Sequence, residues 1–175
     1  MTRHPIASEE GCAMTQGSSD ARVWAAVGEV PDPEVPVLTI ADLGVLRGVR
    51  REGDDVVVTI TPTYSGCPAM EMIRGEIALT LDSLGVKGRV ETVLSPAWTT
   101  DWMSESGKAK LVEYGIAPPT GRRAVGAPVA LSLTIRCPLC GSPDTTELSR
   151  FGSTSCKSLW RCNSCREPFD HFKAI

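Results

Sequence analysis

The sequence predicts an α/β (α+β) fold: a small three-stranded sheet with covering helices, followed by a C-terminal zinc-ribbon module of short β-strands. Residues 20–117 alternate between segments of helical and of strand periodicity, which is typical of helices packed on a sheet. Residues 129–175 instead carry two Cys-x-x-Cys pairs among short apolar segments, which is typical of a metal-stabilised ribbon.

Two polar segments flank the α/β domain. Residues 1–19 are rich in Ser, Gly, Glu and Thr and have no periodicity, so we expect a disordered tail. Residues 118–128 are rich in Pro, Gly and Arg and predict a linker. The expected order is therefore tail 1–19, α/β domain 20–117, linker 118–128 and ribbon 129–175.

The first predicted helix takes Ser19 or Asp20 as its N-cap and ends at Pro31, which has no backbone donor. Its apolar residues recur on one face: Val23, Val27 and Val30. Three prolines then hold residues 31–36 extended.

Three strands are predicted for the sheet. Residues 45–50 and 56–61 form a hairpin whose loop contains Gly53, and residues 89–94 form the third strand. The second strand alternates, so its core-facing side chains are Val56, Val58 and Ile60.

Two further helices are predicted around these strands. The second begins at Cys67-Pro68, with proline at the first helical position, and ends at Gly85. Its buried stripe is Met70, Ile73, Ile77, Leu81 and Leu84. The third runs from about Asp101 to Tyr114 and faces inward through Trp102, Ala109 and Val112. We expect Trp102 to pack on Val112.

Four cysteines of the ribbon are spaced as ligands of one metal ion: Cys137, Cys140, Cys162 and Cys165. Two residues between thiolates let both sulfurs of a tight turn reach one tetrahedral ion. Four thiolates leave no open coordination position, so we expect a structural site that holds zinc, with iron as the alternative.

The ribbon contains a fifth thiol, Cys156, for which two interpretations stay open. A free cysteine is often a small buried apolar side chain. It is alternatively an additional ligand or a redox partner.

Cys67 is the candidate functional thiol of the α/β domain. At a helix N-terminus the unpaired backbone N–H groups and the helix dipole are expected to lower its pKa. Asp32 and Glu34, on the proline-rich segment, are candidates to approach the same surface. A thiol hydrolase needs a base beside the cysteine, and the two histidines, His4 and His171, lie far from Cys67 in the sequence.

Composition argues against several classes of function. The net charge is −3, and the chain from Cys137 onward contains five basic and four acidic residues. The basic surface that binding of nucleic acid requires is therefore missing. No apolar run is long enough to span a membrane, and no apolar segment follows residues 1–5 as in a signal peptide. The sequence has no Glu-x-x-His pair, which a di-iron carboxylate site would use. It also has no Gly-x-Gly-x-x-Gly motif, which would indicate a flavin or nicotinamide site.

Two motifs resemble those of a known domain family. Residues 32–36 (Asp-Pro-Glu-Val-Pro) and 61–68 (Thr-Pro-Thr-Tyr-Ser-Gly-Cys-Pro) resemble the signatures of SufT and of the eukaryotic cytosolic iron–sulfur targeting factors. The whole of residues 20–175 resembles the PaaD (PaaJ) family of bacterial phenylacetate degradation. That wider resemblance rests on residues 98–102, 115–119, 137–140, 151–157 and 162–172.

The resemblance implies an accessory or maturation factor for the multicomponent phenylacetyl-CoA epoxidase, and not an enzyme. Cys67 would then handle iron or a transient iron–sulfur cluster, with Asp32, Glu34, Thr61 and Thr63 as the supporting surface. The implied partners are the oxygenase and the iron–sulfur reductase, in the cytoplasm, with no nucleic acid and no membrane; a homodimer stays open. The alternatives are an inert structural subunit of the epoxidase and, less favoured, a nucleic-acid-binding zinc ribbon.

Overall fold

A computed structural model describes residues 13–120 and 135–174, with side chains from Asp20 onward. The α/β part contains α1 (Ala13–Gly28), β1 (Leu46–Glu52), β2 (Asp55–Ile60), α2 (Ala69–Ser83), β3 (Gly88–Thr92), a 3-10 turn (Thr100–Trp102) and α3 (Glu105–Glu113). The remaining strands are β4 (Ile116–Ala117), β5 (Thr145–Ser149), β6 (Lys157–Cys162) and β7 (Pro168–Phe172). Within the described ranges, no helix has both the length and the apolar character to cross a membrane.

Strands β1, β2 and β3 form the predicted three-stranded sheet, with β2 at its centre. β1 and β2 are an antiparallel hairpin, and β3 lies parallel to β2 after a crossover through α2. The side chains of β2 that were predicted to face inward are fully buried: Val56, Val58 and Ile60. They belong to one apolar core together with residues of α1 and α2.

The opposite face of this sheet buries Val57 beneath charged side chains. Val57 pairs with Arg50 on β1 and with Arg89 on β3, so the three side chains are neighbours on one face. Arg50 forms an ion pair with Glu91 at 2.8 Å, and Arg89 forms one with Glu52 at 2.6 Å. Because long charged side chains carry apolar stems, this network covers Val57 and leaves its charged ends in water.

Helix α1 begins inside the segment predicted as a disordered tail, so the predicted N-cap at Ser19 or Asp20 is wrong. No proline interrupts residues 13–28, and Asp20 forms an ion pair with Arg51 at 2.8 Å. The predicted apolar face is buried: Val23, Val27 and, just beyond the helix, Val30. Residues 1–12 of the predicted tail lie outside the described residues.

Helix α2 starts at Ala69 with Pro68 as its N-cap, so Cys67 precedes the cap. Three residues of the predicted stripe are buried, Ile73, Ile77 and Leu81, whereas Met70 and Leu84 are only partly buried. Gly85 follows the helix with φ +66°, the left-handed conformation that lets a helix end there.

The prediction for α3 had the wrong helical phase, and Trp102 does not pack on Val112. Ser104 accepts a hydrogen bond from the Gly107 backbone N–H at 2.9 Å and fixes the start of the helix. The helix then buries Gly107 and Leu111, while Val112 stays 42% exposed. Trp102 lies in the preceding 3-10 turn, where the Arg47 guanidinium stacks 3.6 Å from its ring centroid.

The ribbon is joined to the α/β part by a strand and by its core. Its sheet has the order β4-β7-β6-β5, so Ile116–Ala117, predicted as the end of the first domain, supplies an edge strand parallel to β7. Cys156 and Phe172 of the ribbon are buried in the core of the α/β part. Residues 121–128 of the predicted linker lie outside the described residues.

Candidate functional site

The four predicted metal-ligand cysteines converge on one point. The Sγ atoms of Cys137, Cys140, Cys162 and Cys165 all lie within 4.8 Å of one another. Cys137 and Cys165 are 3.8 Å apart, and Cys140 and Cys162 are 3.5 Å apart. This arrangement allows all four sulfurs to ligate a single tetrahedral ion.

Matching turns position the two cysteine pairs. The residue four positions after the first cysteine of each pair is left-handed: Gly141 has φ +73° and Arg166 has φ 67°. In the second turn the Cys165 backbone N–H donates to Cys162 Sγ at 3.4 Å. That hydrogen bond is the main one of several that together lower the pKa of the Cys162 thiol to about 6, which favours the thiolate that a metal requires.

The structure reverses the prediction for the pKa of Cys67. Burial raises the pKa of this thiol above its ordinary value, and the Glu34 and Asp32 carboxylates raise it further. Hydrogen bonds from the Ala69 backbone N–H and the Tyr64 hydroxyl oppose the rise without offsetting it. The charges of both acidic residues therefore reach Cys67, and they disfavour its thiolate.

The proline-rich segment holds these two carboxylates in different ways. Asp32 Oδ1 accepts hydrogen bonds from the backbone N–H groups of Glu34 at 2.9 Å and Val35 at 2.7 Å. Asp32 is buried, and its burial raises the pKa of its carboxyl group. Asp32 thus fixes the turn, while the Glu34 side chain extends from the turn to within 3.8 Å of the Cys156 sulfur.

Cys156 lies beside this carboxylate and not in the four-cysteine cluster. Its Sγ lies 3.8 Å from Glu34 Oε2 and 3.0 Å from the Thr154 hydroxyl, and the residue is 4% exposed. Burial is the main cause that raises the pKa of the Cys156 thiol, and the Glu34 charge adds to it. The interpretation as a fifth ligand of the ribbon metal is not supported by this position.

Two further side chains near the boundary between the ribbon and the α/β part, Tyr64 and Lys157, were not predicted as site residues from the sequence. Tyr64 forms side-chain hydrogen bonds with both Cys67 and Ser155, and burial raises the pKa of its hydroxyl. Lys157 is buried, with Nζ 3.6 Å from Asp170 Oδ2. Tyr64 lies three residues before Cys67, and Lys157 directly follows Cys156. Their proximity in sequence to a candidate thiol is the signal that could have indicated both residues.

The other residues that the sequence singled out lie in buried or partly buried positions. Thr61 is buried and donates its backbone N–H to the Val45 carbonyl at 2.9 Å, and Thr63 is partly buried. His171 is buried in the ribbon, where its Nδ1 lies 3.2 Å from the Ser158 hydroxyl. Burial lowers the pKa of His171 to about 4. His4 lies outside the described residues.

Both parts of the chain match known families. Residues 20–94 match the iron–sulfur cluster assembly protein family, and residues 124–173 match the PaaD zinc beta ribbon domain. A crystal structure of the domain of unknown function DUF59 from Bacillus anthracis is similar, with a TM-score of 0.52 and 29% identity. The match covers 57% of this chain and 96% of that one.

Two curated relatives extend these matches. An Fe-S protein maturation auxiliary factor of Porphyromonas gingivalis is 38% identical over 85 residues, which is 47% of this chain and 80% of the relative. A putative 1,2-phenylacetyl-CoA epoxidase subunit of Escherichia coli is 50% identical over 154 residues, 87% of this chain and 92% of the relative. With an iron–sulfur assembly domain followed by this particular ribbon, the chain belongs to the PaaD family.

Proposed function

We propose that this protein is an accessory factor of phenylacetyl-CoA epoxidase that assists the assembly or delivery of iron or iron–sulfur clusters and does not catalyse epoxidation. One observation carries the proposal. The Cys67 thiol is half-buried and lies within electrostatic reach of the Glu34 and Asp32 carboxylates, in the part of the chain that matches the iron–sulfur assembly family. No histidine lies beside Cys67 within residues 13–120 and 135–174, so this thiol lacks the base that acyl chemistry requires.

The acidic surroundings suit a metal-handling thiol better than a nucleophile. A raised pKa keeps Cys67 protonated at neutral pH, which slows its attack on an electrophile. A bound cation reverses this effect because its charge stabilises the thiolate and is itself attracted by the carboxylates. The thiolate would therefore form when metal arrives, and the supporting surface would be Asp32, Glu34, Thr61 and Thr63.

The ribbon metal serves a different role in this proposal. Zinc is the ion that four cysteine thiolates in paired turns suit best, and a closed four-sulfur site has no position for a substrate. We assign it to holding the ribbon folded against the α/β part. The ribbon surface would then dock the oxygenase or the iron–sulfur reductase in the cytoplasm.

The test replaces Cys67 by serine in cells that use phenylacetate as carbon source. Serine keeps the volume but cannot supply a soft anionic ligand at neutral pH. We expect a folded accessory protein, normal amounts of the epoxidase subunits, a depleted iron content in the purified epoxidase and slow growth. Cys12→Ser is the matched control, and normal growth of Cys67→Ser cells with fully metallated epoxidase would contradict the proposal.

A second function, an inert structural subunit of the epoxidase, is favoured by the name of the Escherichia coli relative. The two proposals differ in when the chain is needed. An iron-loaded epoxidase, stripped of this chain after assembly, should stay active if the chain is a maturation factor. It should lose activity, and regain it when the Cys67→Ser protein is added back, if the chain is a structural subunit.

A further inference from the structure

Helix α2 carries exposed apolar residues on the face opposite its buried one. Met72 is 62% exposed and Leu79 is 63% exposed, and the exposed Gly75 lies between them. At ~100° of rotation per residue, these three positions fall within about 60° of one another around the helix axis. We call this surface, formed by Met72, Gly75 and Leu79, the α2 stripe.

Gly75 has no role within the described chain that requires a glycine. It lies in the middle of α2, where glycine is less favourable than alanine. No described atom lies within 4 Å of the position that a Cβ would take. A small residue between two long apolar side chains lets the backbone of another helix come close. The stripe therefore has the shape of a helix-packing surface that lacks its second helix.

A cavity adjoins the α2 stripe at Met72. Its volume is about 240 Å³, and its lining includes Pro31, Pro33 and Pro36 of the proline-rich segment together with Met72 and Glu76 of α2. The proline rings restrict the backbone, so this wall of the cavity is preformed. A small, largely apolar cavity beside an exposed apolar stripe suits the insertion of one large apolar side chain from a partner.

Acidic side chains border the stripe on both sides. Glu76 lies on one side of it, and Glu71 and Asp82 lie on the other, all three of them exposed. The one basic residue of α2, Arg74, donates to the Thr92 hydroxyl at 2.5 Å and is thus directed to the sheet. A second copy of this chain would bring like charges together across the stripe, which disfavours self-association through this face. The charges favour a partner whose apolar residues are flanked by lysine or arginine.

We propose that the α2 stripe and the adjoining cavity form a docking surface for a basic amphipathic helix of another protein. The backbone of that helix crosses α2 at Gly75, and one of its large apolar side chains enters the cavity walled by prolines. Its lysine or arginine side chains pair with the carboxylates that border the stripe.

The docking surface lies on the helix that follows the candidate thiol. Pro68, the N-cap of α2, comes directly after Cys67. A client docked on α2 is therefore held on the helix that starts after the Cys67-Pro68 pair. The proposal deepens the function proposed above and rests on it for the identification of the partner as a subunit of the epoxidase.

Calorimetric titration of purified, iron-free epoxidase into the full-length, zinc-loaded protein tests the surface. We expect binding that weakens as the salt concentration rises, because charge pairs contribute to it. Gly75→Leu fills the space above the helix backbone and should weaken binding at least ~10-fold. The same change replaces an interior glycine by a good helix former, so the melting temperature of the free protein should rise by about 2–4 °C. Weaker binding by a more stable protein cannot result from a folding defect.

Two further variants complete the test. Ala109→Leu, at an exposed position of α3, is the matched control and should bind as the unaltered protein does. Glu76→Lys reverses one charge beside the stripe and should weaken binding. An affinity that is unchanged in both Gly75→Leu and Glu76→Lys would overturn the surface. A dimer of the free protein that Gly75→Leu dissociates, measured by sedimentation velocity, would also overturn it, because the occupant would then be a second copy.

A second probe separates the surface from the proposed function. It is a synthetic amphipathic helix with a leucine stripe flanked by lysines, and the same peptide with glutamates in place of the lysines is its control. If the lysine peptide binds and Gly75→Leu weakens that binding, but Cys67→Ser cells contain fully metallated epoxidase, the surface stands and the proposed function fails. If Cys67→Ser depletes epoxidase iron but neither the epoxidase nor the lysine peptide binds in a way that depends on Gly75, the proposed function stands and the surface fails.

Discussion

The indole ring of Trp98 lies 6.3 Å, centroid to centroid, from the ring of Phe172, with the two planes tilted by 57°. Trp98 is anchored in the α/β part, because its Nε1 donates to the Leu43 carbonyl at 2.9 Å. Phe172 is the last residue of β7, so this contact packs the end of the ribbon into the core of the preceding domain. The two parts are therefore expected to unfold together.

Replacement of Phe172 by alanine tests that coupling. Because the ring is fully buried in the shared core, we expect a loss of ~3–5 kcal/mol in the free energy of unfolding. Phe151→Ala is the matched control: this ring is 71% exposed, and its loss should cost under about 1 kcal/mol. Urea unfolding followed by circular dichroism measures both, and a separate α/β transition left unshifted by Phe172→Ala would contradict the coupling.

Gly44 marks a close approach between the loop before β1 and the 3-10 turn. It has φ +69°, and a Cβ added there would lie 2.5 Å from the Trp102 carbonyl oxygen. Gly44→Ala should therefore combine ~1–2 kcal/mol of left-handed backbone strain with a steric clash. Gly53→Ala has a similar φ of +63° with nothing within 4 Å, so it isolates the backbone effect.

Thermal unfolding of these two glycine variants separates the effects. We expect Gly44→Ala to lower the melting temperature clearly more than Gly53→Ala does. Equal losses in the two proteins would mean that the 3-10 turn moves away from Gly44 at little cost.

His171 makes the stability of the protein depend on pH. Burial lowers the pKa of His171 to about 4, below the ordinary 6.5, and its Nε2 is buried without a hydrogen-bond partner in the part of the chain that the structure describes. Between these values the unfolded chain binds a proton that the folded chain does not. The stabilisation is therefore complete above pH 6.5 and is lost as the pH falls toward 4, with a slope of up to ~1.4 kcal/mol per pH unit.

The His171→Gln variant measures this contribution. Glutamine does not titrate, so the difference in unfolding free energy between the variant and the unaltered protein should change across pH 6.5 to 4. Carboxyl groups that titrate in the same pH range contribute equally to the unfolding free energies of both proteins, so their contributions cancel in the difference. A constant difference would show that His171 has the same pKa in the folded and the unfolded chain.

The pKa of Cys67 should respond to its acidic neighbour. Glu34 raises the pKa of Cys67, so Glu34→Gln should lower it and increase the thiolate fraction at a given pH. Alkylation by iodoacetamide at pH 7.5, followed residue by residue with mass spectrometry, should therefore be faster at Cys67 in the variant. Glu76→Gln, on the exposed side of α2, is the control and should leave the rate unchanged.

The parts of the fold that were predicted correctly follow mostly from residue patterns within single helices or strands. The stripe Ile73, Ile77 and Leu81 and the alternation of Val56, Val58 and Ile60 each lie within one element, where helical or strand periodicity decides burial. The paired spacing of the four ligand cysteines is likewise local. The phase of α3 was wrong because Asp101 and Ser104 are both typical of helix starts, and it is the Ser104 hydroxyl that caps the helix.

The missed features depend on contacts between distant segments. Nothing near Cys156 indicates that it lies against Glu34, because that contact joins the ribbon to the proline-rich segment. The raised pKa of Cys67 has the same origin: helix position alone predicts a lowered value, and burial with two carboxylates outweighs it. Local periodicity therefore located the candidate thiol but not the environment that sets its chemistry.

The short strand β4 has a consequence for any attempt to move the ribbon to another protein. A fragment that starts at residue 129 leaves Ile116–Ala117 behind, and the backbone N–H and C=O groups of β7 that pair with it would face solvent. An unpaired strand edge is a template for pairing with another chain. The excised ribbon would also expose Phe172 and Cys156, so it should self-associate even when it holds its metal, and graft boundaries belong before Ile116.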